Sequence, residues 1–286
     1  MRYIKYFFQY VFILIFFLLF KILGPKKSSS LGGNLFEKIG PLFRSKIIIH
    51  TNIKRAFPNI NSNDLNKITR LMWNNYGRVF AEYVFIKDFR NGKLTSNIEI
   101  DGQEILNEII RNNNQVVFIS GHLSNFELMA MHLEKSGIKL SAIYRPLNNV
   151  FLNNIMERIR KKYICQYQIE KGLGGLRKLI SLKKQNFSTA LMIDQRVSEG
   201  ILSKFFNTEA LTTTIPAQLV KKFNIPVVPL DIERIEDLEF KITISKPIHF
   251  SKEESIKNIT DKLNSVLEKM IIKKPSQWIW SHNRWK

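Results

Sequence analysis

Gln115-Val116-Val117-Phe118-Ile119-Ser120-Gly121-His122-Leu123-Ser124-Asn125-Phe126-Glu127 is the stretch on which the fold turns. Its apolar run over 116–119 has no alternation, as expected of a strand covered on both faces, and Gly121 ends it. A helix is expected over 125–135, so a buried strand passes into a helix through a short turn, the opening of a βαβ unit. Downstream the rhythm repeats. Strands are predicted at 140–144, 189–193, 226–232 and 240–245, with helices at 151–161, 173–184, 213–222 and 254–272. Upstream, Leu65, Ile68, Met72, Tyr76, Val79 and Tyr83 follow a Ser62-Asn63-Asp64 start signal at the spacing of one long amphipathic helix. The expected architecture is a single α/β domain over 34–286 with a central mixed, mostly parallel sheet flanked by helices. An N-terminal membrane helix and linker, 1–33, precede it. No internal repeat interrupts this reading.

The 286 residues carry 44 Lys and Arg against 24 Asp and Glu, a net charge of +20. Such a surface attracts a polyanion, an anionic bilayer or an acidic carrier. A single cysteine, Cys165, excludes an internal disulfide, and the five histidines fall in neither Cys-x-x-Cys nor His-Glu-x-x-His spacing. The expectation is an enzyme domain without metal or cofactor, in the cytosol.

Residues 6–23, YFFQYVFILIFFLLFKIL, are interrupted only by Gln9 and Lys21. That length barely reaches the 20 or so residues a crossing helix needs. Arg2 and Lys5 precede the segment as in a signal peptide, but no small-x-small cleavage site follows, so an uncleaved anchor is expected. Crossing is the favoured reading, with an in-plane or buried helix as the alternative. The slight excess of Lys21, Lys26 and Lys27 over Arg2 and Lys5 favours a cytoplasmic C-terminal domain. A Gly/Ser-containing linker is expected near 28–33, and the mixed apolar and basic segment 35–49 is read as lying along the membrane face.

His122 stands just past a strand end, where α/β folds present their ligand-binding groups. A neutral imidazole there can take the proton of a hydroxyl, and a first-turn carboxylate such as Glu127 can fix its tautomer. No Gly-x-Ser-x-Gly elbow is present, so the substrate hydroxyl itself is the expected nucleophile, with backbone N–H groups at the helix start for the oxyanion. Ser124-x-x-Glu127 also matches a capping box, in which Glu127 only closes the helix start. Spacing alone leaves both open.

The chain resembles the late acyltransferases of lipid A biosynthesis, the lauroyl or myristoyl acyltransferase family, within a lysophospholipid acyltransferase-like superfamily. The marks occur in order: Asn52-Ile53-Lys54-Arg55-Ala56-Phe57-Pro58; Trp73-Asn74-Asn75-Tyr76-Gly77-Arg78 with Glu82; Gly121-His122 through Glu127; Tyr144-Arg145-Pro146; Asp194-Gln195-Arg196. Phe205-Phe206, Thr212-Thr213-Thr214 and Pro275 to Trp285 complete them. Gly121 departs from the alanine expected in many relatives. The resemblance implies His122 as general base and Glu127 as its orienting partner. It further implies an acyl carrier protein thioester as donor, a lipid A precursor glycolipid of the Kdo-lipid IVA type as acceptor, and the cytoplasmic face of a bacterial inner membrane.

Arg145 follows a strand, Arg158 and Arg160 lie on the next helix, and guanidinium suits phosphate or carboxylate. Asp194 and Arg196 stand after their strand as His122 does after its own; a mutual surface ion pair is the alternative. Arg145, Arg158, Asp194, Arg196 and Asn125 are the expected substrate-binding residues. Trp278, Trp280, Arg284 and Trp285 are read as packing against the domain in preference to stacking nucleic acid, and no nucleic-acid partner is expected. Two other functions fit the same residues: an acyl-CoA-dependent enzyme acting on another glycolipid or phospholipid, and a membrane-tethered polyanion-binding protein without chemistry. Acyl chain length, the acylated hydroxyl and the oligomeric state are not legible.

Overall fold

A computed structural model describes residues 2–286. The chain opens with α1 (Arg2–Leu23), α2 (Pro25–Ile39), α3 (Lys46–Ala56), α4 (Ser62–Glu82) and α5 (Ile86–Asn91). Then come β1 (Ile98–Asp101), α6 (Gln103–Arg111), β2 (Val117–Ser120), α7 (Glu127–Lys135), β3 (Leu140–Tyr144), α8 (Val150–Tyr163), β4 (Tyr167–Glu170) and α9 (Leu173–Lys184). β5 (Ser188–Met192), β6 (Ile201–Phe205), β7 (Thr208–Thr212), α10 (Ile215–Phe223), β8 (Val227–Glu236), β9 (Glu239–Ile244) and α11 (Ile256–Lys273) complete it. Seven strands form the sheet in the order β1-β9-β8-β2-β5-β3-β4, all neighbours parallel except the β8–β9 pair. β6 and β7 make a separate antiparallel hairpin.

β2 is central and its four residues are all buried, which is why the apolar run is continuous: each face is covered by a helix layer. The expected alternation of strands and helices is present, with ends differing by a few residues. β1, β4 and the β6–β7 hairpin were not expected. Each is four or five residues long and mixes polar with apolar residues, so none carries an apolar run of its own.

The expected linker over 28–33 is part of α2, and the boundary between 33 and 34 cuts through that helix. Ser28, Ser29, Gly32 and Gly33 are buried there, and the small residues let α2 approach α4 closely. A Cβ on Gly32 would meet the Gly77 carbonyl and the Ala81 Cβ, and one on Gly77 would meet the Gly32 carbonyl. Composition alone read Gly and Ser as chain flexibility; here they serve backbone contact between helices. Gly77→Ala is expected to force the two helices apart and to destabilise the fold by about 1–3 kcal/mol, as overpacking does. A melting temperature equal to that of the parent would contradict this.

α4 starts where the sequence places it, with the Asn61 side chain accepting from the Asp64 N–H at 2.9 Å. α11 starts in the same way, with Ser255 accepting from the Asn258 N–H.

Candidate active site

The register of the central strands decides what meets at the C-terminal edge of the sheet. Ser120 of β2 pairs with Met192 of β5, so His122 and Asp194, each two residues further on, emerge side by side. Asp194 Oδ1 lies 2.8 Å from His122 Nδ1, and Asp194 Oδ2 accepts from the His122 backbone N–H at 2.8 Å. Trp278 Nε1 donates to the same Oδ2 at 2.8 Å. The carboxylate is fully buried, which by itself raises its pKa. The His122 charge and the donors from His122 and Trp278 outweigh burial and hold it at about 2. Burial pulls the His122 imidazole down, while Asp194 and, less directly, Glu127 lift it above its ordinary value. A charged Asp194 makes Nδ1 the protonated nitrogen and leaves the Nε2 lone pair outward. His122 is 23% exposed, and Nε2 has no hydrogen-bond partner among the described residues. Phe126 packs edge-on against the ring at 4.8 Å.

The partner expected for His122 is therefore displaced. The Nδ1 bond comes from Asp194, and Glu127 Oε1 instead accepts from Arg160 Nε and Nη2 at 2.9 and 2.5 Å. Glu127 is the first residue of α7, and its charge still acts on His122 through space. Tyr83 is buried beside this pair, its phenol pushed up by burial and by Glu127. The capping box does not form: the N-cap of α7 is Phe126, no side chain caps the helix, and the buried Ser124 hydroxyl, on a residue at φ 44°, has no partner among the described residues.

A second buried cluster holds the turn from behind. Arg234 of β8 pairs with Glu82 at the end of α4 through two contacts of 2.6 and 3.0 Å. Glu82 also accepts from Ser29 at 2.6 Å and from Asn125 Nδ2 at 2.9 Å. Asn125 is thus turned into the core, and its carboxamide oxygen is buried without a partner among the described residues. Leu123 bridges to Trp278, and the Ser124 N–H donates to the Gln277 carbonyl at 2.9 Å. Arg234→Met removes both guanidinium contacts from the fully buried Glu82 carboxyl group. A loss of about 3–5 kcal/mol is expected, read as a lower melting temperature.

The expected arginines divide. Arg158 is exposed on α8, whereas Arg160, two residues on and about 200° around the helix, is the one that turns inward to Glu127. Arg145 is exposed past β3, which β5 separates from β2. Arg196 is exposed and donates from Nε to the Lys286 carbonyl at 2.9 Å, so it pairs with the C-terminal segment and not with Asp194. The structure therefore gathers His122, Asp194, Glu127 and Asn125 of the expected residues, and adds Arg160, Trp278, Glu82 and Arg234.

Cys165 is buried, its thiol pushed up to about 12 by burial, and it makes no contact with this group among the described residues. Among the described residues no cluster of three or more His, Cys, Asp or Glu side chains is gathered to hold a metal ion. A cleft of about 640 Å³ between Phe57, Ile68 and Pro275 has none of the hydrogen-bonded group in its wall. The C-terminal aromatics pack inward: Trp278 and Trp280 are buried, Trp285 stacks on Phe205 at 5.5 Å, and Arg284 donates to Thr212 and to the Leu211 carbonyl at 2.7 Å each.

Residues 1–286, the whole chain, match the family described as bacterial lipid A biosynthesis acyltransferase. A lipid A biosynthesis myristoyltransferase of Escherichia coli is 22% identical over 253 residues, 87% of this chain and 76% of that protein. A lipid A biosynthesis acyltransferase of Haemophilus influenzae is 24% identical over 259 residues, 89% of this chain and 81% of that protein. A third relative, lipid A biosynthesis acyltransferase 2 of Shigella flexneri, is 25% identical over 186 residues; the match spans 63% of this chain and 58% of that protein.

Proposed function

The chain belongs to the bacterial lipid A biosynthesis acyltransferase family, and on that premise we propose that it moves a fatty acyl chain from an acyl carrier protein thioester to a hydroxyl of a lipid A precursor, with His122 as general base. The observation that carries the base is the Asp194–His122 pair with its open Nε2. It is the acid–imidazole half of a hydrolase triad without an enzyme nucleophile, since no serine or cysteine side chain bonds Nε2 among the described residues. The acceptor hydroxyl fills that place.

Nε2 takes the hydroxyl proton as the oxygen attacks the thioester carbonyl. The tetrahedral intermediate then collapses, the C–S bond breaks, and the leaving thiolate receives the proton back from the imidazolium. Asp194 stays ionised throughout and stabilises the imidazolium. The first-turn amides of α7, at the positive end of its dipole, are the proposed oxyanion donors. Arg160 holds Glu127 beside the base. Exposed Arg145 and Arg158 are the proposed contacts to acceptor phosphates, and the net charge of +20 suits both those phosphates and an acidic carrier. An inner-membrane location with the domain on the cytoplasmic face follows from the same reading. The apolar α1 supports a membrane address.

Purified full-length protein, given the same labelled acyl chain on acyl carrier protein or on coenzyme A, tests the donor. With a lipid A precursor as acceptor, transfer from the carrier protein is expected to dominate. Faster transfer from acyl-CoA, or transfer only to a phospholipid acceptor, would replace this reading with the sibling activity.

A further inference from the structure

Along α1 the residues that touch the domain and those left bare fall on opposite sides. At 3.6 residues per turn, Tyr6, Tyr10, Ile13, Phe17 and Phe20 share one face, and all are half-buried or buried. Ile4, Phe8, Phe12, Ile15, Leu19 and Ile22 share the other and are exposed, Phe8 and Ile15 at 67% and 60%. The covered face is engaged from end to end. Near the start, Asn149 donates to the Tyr6 carbonyl at 2.9 Å, and Phe7 and Tyr10 pack on Phe151 of α8, both at 5.8 Å. Near the end, Phe17 and Phe20 pack on Phe80 of α4, and Lys21 reaches Asp88 at 3.7 Å.

The engaged stretch, 6–21, is about 22 Å long at 1.5 Å per residue, most of the roughly 30 Å hydrocarbon thickness. If α1 stood across a bilayer, the start of α8 and the α5 region would stand beside it at membrane depth. Asn148, Asn154 and Lys87, all exposed there, would then face hydrocarbon without partners. A helix lying flat avoids this. Its bare stripe meets acyl chains, while Arg2 and Gln9, which fall toward the domain side, and Lys5, which lies at the flank and can reach outward along its stem, stay at headgroup level. Exposed Leu147 and Val150 extend the apolar surface onto α8 beside Phe151, and Lys26 and Lys27 follow α1 at the other end.

We propose that α1 is an in-plane anchor, lying along one anionic phospholipid leaflet with the Ile4–Ile22 stripe in the acyl chains, and that it does not cross the bilayer. The occupant of the stripe is a lipid leaflet because the face is apolar throughout and the basic residues around it match an anionic surface. The proposal rests on the membrane address in the reading above, and its test is read without any acyl transfer, so the two fail separately.

Arg2→Cys and Lys246→Cys, both at exposed positions, are introduced singly into the full chain; the native Cys165 is buried and silent. Membranes from a bacterial host are sealed as right-side-out and as inverted vesicles and treated with an impermeant maleimide. An in-plane α1 predicts complete loss of Arg2→Cys labelling in whichever orientation hides Lys246→Cys, and full labelling in the other. Labelling of Arg2→Cys in the orientation that hides Lys246→Cys overturns the proposal, as does labelling only after detergent in both.

Discussion

His122→Ala is expected to lower kcat for acyl transfer by about 10²- to 10⁴-fold, the usual contribution of a positioned general base, while KM for either substrate changes little. The split follows from geometry: Nε2 is the one polar atom of the ring left open, and the ring's other polar contact goes to Asp194. The fold should survive. Asp194 keeps the residue-122 backbone N–H and Trp278 as donors after the ring is removed, and the Glu82–Arg234 cluster that holds the turn is untouched. Circular dichroism and a melting curve on the same sample separate a lost base from a lost fold. Wild-type turnover by a folded His122→Ala protein would remove His122 as the base and send the search for the proton acceptor elsewhere in the site.

Much of the fold was legible because buried parallel strands and amphipathic helices write their periods into the sequence. β2 announces itself by an unbroken apolar run, and α4 by its spacing and its Ser62-Asn63-Asp64 start signal. Partner choice in the site was less legible. Glu127 is five residues from His122 and Asp194 is 72 positions away, so local spacing favoured the wrong carboxylate for the Nδ1 bond. That bond depends on β2 lying against β5, a register that no local pattern reports. Asp194 was nevertheless placed at the site, from its position after a strand. The expected set includes Arg158 and leaves out Arg160, two positions and about 200° away; Ile159 lies about 100° from each, so the apolar side of α8 does not separate them, and only the tertiary contact to Glu127 does.

The ordered family marks are intelligible as spatial pairs. Asn52 donates to the carbonyls of Trp280 and His282 at 2.9 and 2.8 Å, Glu82 meets Asn125, Trp278 meets Asp194, and Thr212 meets Arg284. The C-terminal segment thereby reaches the candidate site: Trp278 hydrogen-bonds the carboxylate that bonds His122. Packing of those aromatics was expected; their hydrogen bond to the acid of the site was not.

Asp194→Asn carries the second large effect, because the carboxylate does two separable things. It selects the tautomer, and an amide can present its N–H to Nδ1 and so draw the proton onto Nε2, where the base must be empty. In hydrolase triads the same exchange costs about 10⁴-fold in kcat, and a drop of that order is expected here. Asp194 also raises the His122 pKa above the ordinary 6.5 against the downward pull of burial. A base is active when neutral, so the acidic limb of the wild-type kcat/KM profile should lie above that value; with the charge gone, the limb of the residual activity should move to lower pH. Stability follows its own sign. A carboxyl held at about 2 in the folded protein, against 3.8 ordinarily, stabilises the fold above that ordinary value, and this contribution is lost as pH falls toward 2. Wild type should therefore lose stability more steeply than Asp194→Asn on acidification below about pH 4. A packing-only role for Asp194 predicts instead an unshifted limb in the variant, and that result would return the orienting role to Glu127.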